Sequence, residues 1–139
     1  MQTLDDPKLP TRLKLAALWT STLFCYIYCD YFELYIPGKL QDMHAGQFGP
    51  LGATSQGNLF GAAMMMAVAS LMICLTTLAP VSLSRWANII FGALFTAMMA
   101  LLAVAAGWYF YKSFAAIEAL LTACIVWQAW RWPRAPTTQ

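Results

Sequence analysis

Charge is what this sequence lacks. Only 10% of its 139 residues are Asp, Glu, Lys or Arg, against roughly 25% in a soluble globular domain. The shortage is uneven, because Arg85 is the only charged side chain between Met43 and Tyr111. So long a stretch cannot form the surface of a soluble domain, and the chain reads as membrane-embedded. Histidine is scarcer still, with His44 alone in the long loop, so Ser55, Ser82, Ser84 and Ser113 have no histidine near them in sequence. No H-E-x-x-H, P-loop or dinucleotide fingerprint occurs. These absences weaken an enzymatic reading without removing it. The four cysteines, Cys25, Cys29, Cys74 and Cys124, lack C-x-x-C spacing and read as small buried hydrophobes. No metal site and no cofactor is expected.

Apolar sequence is what the chain has instead, at 60% of residues. About 20 helical residues at 1.5 Å each cross a hydrocarbon core. Leu13–Ile36, Ser55–Ala79, Ser84–Gly107 and Tyr111–Trp132 are each long enough. The first is too long for a cleaved signal peptide, carries Asp30 and Glu33, and leads to no small-residue cleavage site. Pro37-Gly38 and Pro80 stop the first two stretches, Ser82 or Ser84 is placed to cap the third, and Pro133 follows the fourth. The expected fold is all-α: a single domain, residues 1–139, forming an antiparallel bundle of four transmembrane helices. Short links make sequential helices neighbours.

An even number of spans puts both termini on one side. Lys8, Arg12, Lys14, Arg85, Arg131 and Arg134 share that side, with Lys39 and Lys112 opposite, so the termini are expected in the cytoplasm. The net charge of +2 thus reports topology and implies no nucleic-acid partner. Trp19, Trp86, Trp127, Trp130 and Trp132 would form one interfacial belt, and Tyr28, Tyr31, Tyr35, Trp108, Tyr109 and Tyr111 the other. Gly57 and Gly61 make a G-x-x-x-G step, and Gly92, Thr96 and Ala100, with Ala93 and Ala97, a second small-residue face. Both fit packing within the bundle better than dimerisation, although a homo-oligomer stays open. Met64-Met65-Met66 reads as adaptable filler rather than a metal site.

Against this apolar background three acids stand out: Asp30, Glu33 and Glu118. A carboxylate at the bilayer centre costs roughly 2.5–3.5 kcal/mol on insertion scales, so such groups face a partner, a cavity or water. Asp30 lies six residues inside Ile36, and Glu118 six residues inside Lys112 on a helix of opposite direction, each roughly 9 Å deep. Tyr26, Asp30 and Glu33 share one helical face, as do Glu118, Thr122 and Ile125. Gln56 and Asn58 enter at the top of the second span. Together they predict an outward-opening acidic pocket beneath the 37–54 loop, where Asp42 and His44 could serve as a lid. Close carboxylates in low dielectric favour a shared proton, suited to ion coupling or to acid–base work. Asp30, Glu33, Glu118 and His44 also supply metal donors, but of a set that selects no metal sharply. The bland alternatives are an ion pair of Glu33 with Lys39, and Glu118 as packing glue.

Several local patterns cover the chain from about Lys14 to Pro133: Asp30-Tyr31 followed by Pro37-Gly38, Gln56-Gly57, Ser84-Arg85-Trp86-Ala87-Asn88, Glu118, and Trp127-Gln128-Ala129-Trp130-Arg131-Trp132-Pro133. In these the sequence resembles a bacterial family of short four-span membrane proteins, domain of unknown function 6326. The resemblance implies four spans and a bacterial inner membrane, and no activity. Three functions remain open: binding or transport of a small ligand or ion, an intramembrane isomerase, cyclase or quinone-linked enzyme on a lipophilic substrate, and an accessory subunit.

Overall fold

The computed structural model describes residues 7–49 and 52–133. The expectation placed on Arg134 lies outside the described residues. The described chain contains five helices, α1 (Thr11–Glu33), α2 (Lys39–His44), α3 (Gln56–Leu78), α4 (Val81–Ala105) and α5 (Tyr109–Trp130). The four long ones form an antiparallel bundle. One end, here the terminal end, holds the start of α1, the α3–α4 turn and the end of α5. The other, the loop end, carries residues 34–49 and 52–55 and the α4–α5 link.

Helix ends follow local chemistry. The last bonds of α1 shorten to i→i−3, from Leu34, Tyr35 and Ile36 N–H to Tyr31, Phe32 and Glu33 C=O. Pro37 disfavours helical backbone at the residue before it, so α1 ends three residues before the expected Ile36. Gly38, at φ 85°, makes the left-handed turn that starts α2. The loop is therefore not wholly irregular. It holds this short helix and folds onto itself, with Gln47 N–H donating to Asp42 C=O and Thr54 N–H to Gly46 C=O. At α3, Ser55 Oγ accepts from Asn58 N–H at 3.1 Å, a regular cap. Neither Ser82 nor Ser84 caps α4. Pro80 occupies that position, and the buried Ser84 turns its hydroxyl to Thr76 C=O at 3.3 Å.

Buried residues fall at spacings of three and four. On α5 they are Ala115, Glu118, Thr122, Ile125 and Ala129; on α1 the run Trp19, Thr22, Tyr26 and Cys29 repeats the pattern. This 3.5-residue period is the packing seam of left-handed bundles. The tightest approach is α4 on α5 at Gly92, where a Cβ would lie 2.9 Å from Val126 Cγ2 and 3.3 Å from Ile125 Cγ2. Ala93, Ala97 and Ala100, expected beside Gly92, instead face outward. Gly57 and Gly61 are also exposed; a Cβ on Gly57 would meet only Ser55 Oγ, at 3.9 Å, and one on Gly61 nothing within 4 Å, so this step packs against no other helix among the described residues. Helix α1 lies against both α3 and α5, whereas α3 and α4, although consecutive, meet more sparsely. The hydrogen bonds of Thr76 with Asn88 and Ser84 join the two beside the connecting turn.

The bundle is apolar outside and polar inside. Leu101 is 71% and Val104 83% exposed, with Leu71, Ile90, Leu94 and Leu120 similarly bare. Thr22, Thr76, Ser84, Asn88, Glu118 and Thr122 are buried. An apolar exterior this extensive suits lipid rather than water. Three helices, α3, α4 and α5, are long and apolar enough to cross a membrane. Helix α1 is as long but more polar, with Arg12, Lys14, Asp30 and Glu33 in it.

Candidate functional site

Polar groups collect at two depths. Toward the terminal end, Trp19 Nε1–H donates to Asn88 Oδ1 at 2.8 Å. Asn88 Nδ2–H donates to Thr76 Oγ1 at 2.9 Å and to Ser84 C=O at 2.8 Å. Arg12 Nη1–H reaches the carbonyls of Thr76, Thr77 and Ala79 at 3.2, 2.9 and 2.8 Å, satisfying the free end of α3. Arg85 Nε–H does the same for Ala129 C=O on α5 at 3.3 Å. Trp19 is thus a buried network member and not part of an interfacial belt. Every one of these polar groups is matched, and the cluster joins α1, α3 and α4.

The loop half is different. A cavity of about 100 Å³ lies among all four long helices. Tyr26, Cys29 and Asp30 line it from α1, Met65 and Met66 from α3, Met99 and Leu102 from α4, and Tyr111 and Glu118 from α5. Glu118 is 2% and Tyr26 4% exposed. Among the described residues, Glu118 Oε1 and the Tyr26 hydroxyl have no hydrogen-bond partner. An unpartnered buried polar atom forfeits its hydration, at roughly 1–3 kcal/mol and more for a charged group. A carboxyl so placed calls for a proton or a cation.

Of the residues the sequence singled out, Tyr26, Asp30 and Glu118 meet at this cavity. Glu33 does not line it, because its Oε1 is ion-paired with Lys39 Nζ, tying the end of α1 to the start of α2. Helix α1 is turned so that the Thr22–Tyr26–Cys29 line faces inward, leaving Asp30 on the open rim. Gln56 is exposed, and Asn58 Nδ2–H donates to Ala53 C=O at 3.0 Å, beside the start of α3. Asp42 and His44 are exposed on α2 and do not line the cavity. The expected lid residues therefore lie elsewhere. Sequence reasoning missed Cys29, Tyr111 and the methionines. Cys29 stands three residues from Tyr26 and Tyr111 seven from Glu118, so helical spacing alone would have placed both. Cys74 and Cys124 are exposed rather than buried, and Cys25 is half-buried.

A second cavity, of about 370 Å³, opens between the end of α1 and the start of α5. Phe32, Tyr35, Ile36, Trp108, Phe110 and Phe114 form its wall, with no ionisable acid or base apart from a phenol. Among the described residues no three or more His, Cys, Asp and Glu side chains are grouped to hold a metal ion. The acid–histidine donor set considered from sequence is thus not assembled.

No curated protein and no solved structure matches the chain. A family model does, over residues 8–138, nearly the whole sequence. The chain belongs to DUF6326, a family of unknown function.

Proposed function

We propose that this is a four-span inner-membrane protein whose loop-half cavity binds a small cation or a proton as the coupling step of transport. The observation that carries the reading is Glu118 Oε1, deeply buried, unpartnered and beside a cavity of about 100 Å³. Pockets for drug-sized ligands run to roughly 300–1,000 Å³, so the volume suits an ion or a few waters. Glu118 and Asp30 carry the charge in this reading, and the Tyr26 hydroxyl offers a further oxygen. Glu33, Gln56 and Asn58 shape the approach from the loop end.

Lys8, Arg12, Lys14, Arg85 and Arg131 at the terminal end, against Lys39 and Lys112 opposite, support termini in the cytoplasm of a bacterium. The cavity then lies toward the outer face. The exposed Gly57–Gly61 step favours a second copy as partner, which would thicken the wall around a pathway. An intramembrane enzyme is less well served, because a lipophilic substrate exceeds the cavity.

Proteoliposomes with an internal pH dye and imposed sodium or potassium gradients test the transport step. Ion-driven proton movement above that of empty liposomes, abolished by Asp30→Asn with Glu118→Gln, is expected. Flux equal to empty liposomes for the parent protein would overturn the coupling role.

A further inference from the structure

The cavity wall is unusual for its sulfur. Cys29, Met65, Met66 and Met99 converge on it from α1, α3 and α4. Met99 is 4% and Cys29 5% exposed. Met64, in the same run, is 44% exposed and lines nothing there, so helical geometry divides this methionine triplet into one outer and two inner members. Thiolate and thioether donors select soft metal ions, above all Cu(I) among biological metals.

We infer that the cavity is a site for a soft monovalent metal ion of the Cu(I) or Ag(I) class. Methionine sulfur supplies the inner ligands and Glu118 the counter-charge. The inference rests on the cation-binding reading above and names the class of cation. The donor type selects the ion, and charge balance permits a single positive charge. Thioethers are neutral, so a monovalent ion among Met65, Met66 and Met99 keeps its single positive charge, which one carboxylate offsets in low dielectric. Asp30 lies on the open rim of the same cavity, so charge alone would also admit a divalent ion, and it is the thioether donors that favour the soft monovalent class. The unpartnered Glu118 Oε1 and Tyr26 hydroxyl mark the same cavity independently of the sulfur count. Soft monovalent ions also accept few ligands, as a small cavity walled by flexible methionines requires.

The test uses the full chain in detergent, reduced, with Cys25→Ser, Cys74→Ser and Cys124→Ser removing thiols that do not line the cavity. Silver(I) is the redox-inert probe, and copper(I) held reduced by ascorbate the second. One ion per chain should survive washing with a competing chelator, with a sulfur-dominated first shell by X-ray absorption. Met65→Leu with Met99→Leu should weaken retention by about tenfold or more, whereas Met64→Leu should match the parent. These swaps roughly conserve volume. Should the double variant not stay folded, Met65→Leu alone serves instead, by removing one sulfur from the first shell seen in the absorption spectrum. No retention by the parent, or equal retention by Met64→Leu and Met65→Leu/Met99→Leu, overturns the inference. Proton coupling that persists in proteoliposomes without silver retention would sink the metal identity alone. Loss of both would sink the cation-binding reading with it.

Discussion

Asn88 and Glu118 are both buried polar residues, and they do opposite things. Asn88 Oδ1 and Nδ2 find Trp19, Thr76 and Ser84 within 2.8–3.3 Å, so its burial is fully compensated. Glu118 reaches the same depth of burial with Oε1 unmatched beside a cavity. A matched polar group in an apolar bundle holds helices together, whereas an unmatched one invites a ligand. Burial alone therefore does not distinguish glue from site. The count of partners does.

Mutations should separate the two halves. The largest effect is expected at Asn88→Leu, which orphans Trp19 Nε1–H and leaves the Thr76 hydroxyl without its side-chain partners. The loss of stability should be roughly 1–3 kcal/mol, read by denaturant titration in mixed micelles. Glu118→Gln should show the reverse: an unchanged or raised melting temperature, with ion coupling abolished. If Glu118→Gln destabilises as much as Asn88→Leu, both halves are glue and the contrast fails.

Two glycines sharpen the same comparison for packing. Gly92→Ala places a Cβ 2.9 Å from Val126 Cγ2, so roughly 1–3 kcal/mol of overpacking is expected. Gly61→Ala meets open space and should leave the single chain's stability unchanged or slightly raised, by up to about 1 kcal/mol. Any loss at Gly61→Ala should appear only as dissociation of an oligomer, seen by analytical ultracentrifugation. The smallest effect is expected at Glu33→Gln. Its pair with Lys39 keeps side-chain exposures of 26% and 20% at the loop end, and ion pairs open to solvent contribute no more than about 1 kcal/mol.

The long helices were legible because Pro37, Pro80 and Pro133 punctuate long, mostly apolar runs. Their ends were less so. Ser82 and Ser84 look like caps, but Pro80 takes the position and the Ser84 hydroxyl is drawn to Thr76 by tertiary packing. Tyr26, Asp30 and Glu118 stood out because oxygen in an apolar helix is costly. Helix rotation was harder to read: a turn of α1 brings Cys29 inward and leaves Asp30 on the rim, and a face made of Tyr26, Asp30 and Glu33 on paper cannot reveal it. The Met64-Met65-Met66 run reads as filler from sequence because Met fills cores so readily that its presence carries little signal. Only the convergence of methionines from different helices does.

The most direct test of the central claim is the infrared carboxyl region of the protein in lipid nanodiscs, recorded for the parent and for Glu118→Gln. The parent should show a band of one buried acid, protonated or shifted by added cation, that responds to pH or to that cation and is missing from Glu118→Gln. Superimposable spectra across pH and cation additions would contradict the account and return Glu118 to the role Asn88 plays.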